Sequence, residues 1–102
     1  MAVRIYRGDT PTLEFTITDE DGNPVDLTGC TLYFAVRMDD EVVINREALI
    51  IDPTKGLAQI TLTSEETDHI GAALGELEGR YEDGTITTFG QFIIEFLEDV
   101  RK

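Results

Sequence analysis

The sequence predicts an all-β chain: an antiparallel β-sandwich of about seven strands with one short helix. Three observations lead there. Apolar and polar residues alternate with period two in run after run, as a half-buried strand requires, because successive side chains point to opposite faces of a sheet. Glycine-bearing turn signals, Asp21-Gly22-Asn23-Pro24, Lys55-Gly56 and Asp83-Gly84, fall between those runs. Thirteen Thr and ten Ile supply β-branched side chains that pack well on a pleated surface.

A first strand is expected at 3–6 and a second at 13–18, where Leu13, Phe15 and Ile17 share one face and Glu14, Thr16 and Thr18 the other. Leu32, Phe34 and Val36 repeat the pattern, followed by a weaker run at 42–45. Ala58, Ile60 and Leu62 alternate with Gln59, Thr61 and Thr63. Leu77, Gly79 and Tyr81 alternate with Glu76, Glu78, Arg80 and Glu82, and Asp83-Gly84 then turns the chain into a long last strand at 85–97. Gly90 inside that strand signals a bulge or kink. The helical segment is 64–70: Ser64 as N-cap and two Glu in the first turn favour one or two turns, ended near Gly71.

The 102 residues suffice for a single domain over 1–102 with its own core. Twenty-one acidic against eight basic residues give a formal charge of −13. That balance excludes a nucleic-acid binder, which needs a basic stripe at the phosphates, and docking on an anionic membrane, which selects Lys/Arg clusters. Residues 1–10 lack the apolar stretch of a signal peptide, and no segment reaches the roughly 20 apolar residues that span a bilayer. One cysteine makes no internal disulfide, which fits a reducing compartment. Much of the charge falls on the Glu76/Glu78/Glu82 row, a solvated strand face relieved by Arg80.

No catalytic constellation emerges, and no cofactor is expected. Cys30 and His69 are the only thiol and imidazole; Cys30 alternates with the buried set as a small core residue, and His69 reads as a surface residue in the acidic helix. Those two cannot complete a four-ligand zinc site. Asp19-Glu20-Asp21-Gly22-Asn23 looks superficially like a calcium loop, but counting from Asp19 puts Pro24 at position 6 and Cys30 at position 12, where Gly and Glu belong. Asp39-Asp40-Glu41 is a second acidic turn. Asp19, Asp21, Asn23 and Asp39 are therefore weak metal candidates, and they carry the alternative function, a calcium-dependent or carbohydrate-binding adhesion domain. Arg7-Gly8-Asp9 spells an integrin tripeptide, but Gly8-Asp9-Thr10-Pro11 suffices as a turn.

The features least explained by an isolated fold are outward apolar residues. If Phe92, Ile94 and Phe96 point inward, Ile93 and Leu97 point out; likewise Tyr33 and Ala35 oppose Leu32, Phe34 and Val36. Tyr33, Ala35, Ile93 and Leu97 are the interface candidates, with the sheets' free edges as sites where another strand could add.

The stretch Gly8-Asp9-Thr10-Pro11-Thr12-Leu13-Glu14-Phe15-Thr16-Ile17, followed by Asp21-Gly22-Asn23-Pro24-Val25-Asp26-Leu27-Thr28-Gly29 and the strand Thr31-Leu32-Tyr33-Phe34-Ala35-Val36, resembles the immunoglobulin-like N-terminal domain of phage baseplate upper proteins and related small prophage tail proteins. Gly56 before Ala58-Gln59-Ile60-Thr61-Leu62, Ser64-Glu65-Glu66-Thr67 and Gly79-Arg80-Tyr81 agree with it. The resemblance implies an immunoglobulin-like sandwich acting as a structural, protein-binding module of a phage tail or baseplate. It implies no catalytic residues. The partners would be other tail or baseplate proteins, or copies of itself, and the location a virion tail, after synthesis in the bacterial host cytoplasm. The larger baseplate proteins continue beyond the point where this sequence stops at Lys102, so a minor tail or neck part, or one domain of a longer protein, is expected.

Overall fold

A computed structural model describes residues 2–101. The strands are β1 (Ala2–Tyr6), β2 (Thr12–Thr16), β3 (Cys30–Met38), β4 (Glu41–Glu47), β5 (Leu49–Asp52), β6 (Leu57–Thr61), β7 (Gly71–Tyr81) and β8 (Ile86–Leu97). They form a five-stranded sheet in the order β1-β8-β7-β3-β4 and a three-stranded sheet in the order β2-β6-β5. The fold is an immunoglobulin-like sandwich, as expected, with one strand more than the seven read from the sequence. All pairings are antiparallel except β1 with β8, which run parallel from Ala2↔Ile93 to Tyr6↔Leu97.

The core lies between the sheets and follows the alternation. Leu32, Phe34 and Val36 of β3 are fully buried, as are Ile94 and Phe96 of β8; Ala58 and Ile60 face them from β6, with Leu62 just beyond that strand. The rings of Phe15, Phe34 and Phe92 meet with centroids 5.9–6.2 Å apart and join β2 to the larger sheet. The bulge signalled by Gly90 is present. Leu77 pairs with Gly90 but Glu78 with Thr88, so Phe89 is the extra residue on β8. This shift of one residue lets Phe89 and Phe92, three apart, both pack against the core.

The helix expected at 64–70 is not there; the segment is a capped turn. Thr63 takes the cap position assigned to Ser64: its Oγ1 accepts from the Glu66 N–H at 3.2 Å, while Glu66 Oε1 accepts from the Thr63 N–H at 2.9 Å. Arg46 then grips the same carboxylate through Nε and Nη2 at 2.9 and 3.0 Å and donates to the Thr61 carbonyl. One turn satisfies its ends this way, and β7 begins at Gly71. The only helical element among the described residues is a 3₁₀ turn at Pro53–Lys55, started by Pro53 and ended by Gly56 at φ 67°.

Candidate interaction face

The outer face of the five-stranded sheet carries all four interface candidates, and its register sorts them into two groups. Residues directly opposite across a ladder share a face, so each pairing line is a row of neighbours. Tyr6 lies beside Leu97. In the next row Arg4 lies beside Glu95 and Glu95 beside Ala72, with Arg4 Nε 3.2 Å from the Glu95 carboxylate. Ala2, Ile93 and Leu74 then form an apolar row, continued by Arg37 and Val42. Tyr6, Ile93 and Val42 are 55 %, 46 % and 57 % exposed.

Beyond that row the character changes. Gln91 donates to Glu76 at 3.0 Å, and the row runs on through Ala35 to Asn45. Tyr33 sits between Glu78 and Glu47, with the Arg80 guanidinium 5.9 Å from its ring centroid. Arg80 in turn donates to Glu78 at 2.7 Å, and that carboxylate raises the guanidinium's pKa further. Tyr33 and Ala35 therefore line a polar depression of about 320 Å³ with Asn45, Glu76, Glu78 and Arg80. Ile93 and Leu97 fall instead in two apolar rows, Ala2/Ile93/Leu74 and Tyr6/Leu97, on either side of the Arg4–Glu95 pair. Ala2, Tyr6 and Leu74 were not among the candidates; pairing with β8 puts them on this face.

The other sequence candidates are dispersed. Asp19 Oδ1 accepts from the Asp21 and Asn23 N–H groups at 2.9 Å each, closing the loop on itself. Asp39 and Asp40, at φ 49° and 67°, form the β3–β4 turn. No group of three or more metal-capable His, Cys, Asp or Glu comes together among the described residues. Arg7 Nε is 3.0 Å from Asp99 and 4.0 Å from Asp68, so the arginine of the Arg7-Gly8-Asp9 tripeptide is engaged inside the molecule.

Cys30 pairs with Tyr81 at one end of β7, while the His69 ring lies tilted against Phe96, centroids 5.5 Å apart, and Phe96 is the partner of Gly71 at the other end. The thiol and imidazole are thus roughly 30 Å apart along the strand, far beyond reach of each other. Burial pushes the Cys30 thiol up, against hydrogen bonds from Arg80 and Tyr81 that lower it. His69 is half-buried on Phe96, and so is not the surface residue expected from the sequence.

The model of the BppU N-terminal domain, the N-terminal domain of phage baseplate upper proteins, matches residues 1–96. Among solved structures, the N-terminal domain of ORF48 from phage TP901-1 aligns with a TM-score of 0.70 and 16 % identity, over 98 % of this chain and 86 % of that one. CopC from Methylosinus trichosporium OB3b aligns with a TM-score of 0.56 and 10 % identity, over 98 % and 89 %. At such identities both show the fold alone. No curated protein matches by sequence.

Proposed function

Because the chain belongs to the family of BppU N-terminal domains, a structural domain of the phage baseplate, we propose that it works by docking other tail or baseplate proteins onto the outer face of its five-stranded sheet. The observation that carries this reading is the pair of apolar rows, Ala2/Ile93/Leu74 and Tyr6/Leu97, that flank the Arg4–Glu95 pair on this face and that the core does not use. Tyr33 and Ala35 contribute a polar rim beside Glu76, Glu78 and Arg80. In this reading the protein resides in the virion tail after synthesis in the host cytoplasm. No helix among the described residues is long and apolar enough to cross a membrane.

The test is light scattering of the purified chain, alone and with each protein encoded beside it in the tail locus. A complex with one of them is expected, and Ile93→Glu or Leu97→Glu weakens it by at least tenfold while leaving the thermal midpoint in place. A complex that both variants form at full strength removes the sheet face from consideration. Failure to bind any neighbouring tail protein counts against the docking role itself.

A further inference from the structure

The seam between the two sheets is a second, separate surface. Among the described residues β1 pairs with β8 from Ile93 to Leu97. Over residues 86–92, β8 has β7 on one side, and among the described residues no strand flanks the other. β2 likewise pairs only with β6 and ends its sheet. These two open margins line a groove of about 430 Å³ whose apolar walls are Phe15, Ile17, Leu77, Phe89 and Phe92.

Proteins ordinarily blunt a free edge with lysine, proline or an inward charge. Residues 85–94 hold no charged side chain and no proline, in a chain that is 28 % charged. The bulge at Phe89 and Gly90 is the one disruption, and a Cβ on Gly90 would meet nothing within 4 Å, so the margin stays open to an approaching backbone. Charge narrows the choice of occupant. Among the described residues Glu14 is the only charged one lining the groove, and Asp19, Glu20 and Asp21 follow directly after its lining residue Thr18. A second copy, also at −13, is repelled from this acidic mouth.

We infer that the seam takes up an extended segment of a different protein, apolar at alternate positions and basic at its ends, which pairs with β8 over residues 86–92 and inserts side chains among Phe15, Phe89 and Phe92. Main-chain hydrogen bonds to β8 supply affinity, the phenylalanines select apolar side chains, and Glu14 selects a basic flank.

Hydrogen–deuterium exchange on the whole chain tests this with the peptide acetyl-Lys-Val-Thr-Val-Thr-Val-Lys-amide and its glutamate-ended counterpart. The lysine-ended peptide slows exchange at amides 86–92. Gly90→Glu, which puts a carboxylate into open space in the groove, abolishes that slowing. Glu14→Lys reverses the preference toward the glutamate-ended peptide by several-fold and serves as the second variant if Gly90→Glu lowers the thermal midpoint. No slowing at 86–92 up to about 1 mM peptide overturns the inference, as does slowing confined to other strands. Ile93→Glu and Leu97→Glu leave peptide uptake unchanged, so a failure of the sheet-face reading and a failure of strand uptake give different results.

Discussion

Gly75 and Gly79 set the spacing between β7 and the aromatic layer. A Cβ on Gly75 would lie 2.7 Å from Cε2 of Phe92 and 3.0 Å from Cδ1 of Ile94; on Gly79 it would lie 2.5 Å from Phe89 and 2.9 Å from the Cys30 sulfur. The missing side chains are therefore filled by rings from the neighbouring strand. Gly75→Ala should destabilise the fold by about 1–3 kcal/mol, the usual range for overpacking a filled core, while Gly90→Ala should stay within about 0.5 kcal/mol. Urea midpoints of the two variants check this, and equal midpoints would mean that the Phe92 ring moves aside freely. The inward direction of Gly79 was readable from alternation. Its need to lack a side chain was not, because Phe89 reaches it only through the bulge on β8.

Elements differ in how far local sequence determines them. β2, β3 and β6 alternate cleanly and were legible, as were β8 outside its bulge and the Asp83-Gly84 hairpin, where Gly84 takes φ 93° and Asp83 accepts from the Thr85 N–H. β5 went unread because Leu49-Ile50-Ile51-Asp52 has no alternation; its register comes from β6 and slips between Ile50 and Asp52. Residues 71–75 of β7, Gly-Ala-Ala-Leu-Gly, carry no polar alternation either, and pairing with β8 makes them a strand. The grouping of interface candidates was hidden for the same reason, since it depends on β1 lying beside β8. At 64–70 acidic residues after a cap suggested a helix, yet the Thr63–Glu66 box closes only one turn before tertiary pairing takes over. That box yields a pH prediction. Burial alone would raise the Glu66 pKa, but Arg46 and the Thr63 donors together bring it below the ordinary value of 4.5. Its contribution is thus fully present above about pH 4.5 and is lost as pH falls through the lower folded-state value. Glu66→Gln should cost about 1 kcal/mol at pH 7, with the gap to the parent closing in acid. Thermal midpoints from pH 7 to pH 3 read this out, and a gap that widened in acid would contradict it.

A charge of −13 on 102 residues opposes compaction through self-repulsion. Raising NaCl from about 10 mM to about 150 mM, which shortens the screening length from roughly 30 Å to 8 Å, should therefore raise the thermal midpoint. Calcium and magnesium at matched ionic strength should raise it equally, because the Asp19 loop spends Oδ1 on its own backbone. A rise particular to calcium would instead favour the adhesion reading. The parallel pairing of β1 with β8 also bears on how the chain reaches this state. Arg4 and Glu95, neighbours in the sheet, are 91 positions apart in sequence. On a ribosome adding roughly 5–20 residues per second, β1 waits on the order of 5–20 s before its partner strand exists. Completion of the larger sheet thus waits until β8 has been made, and until then β1 has no ladder to join.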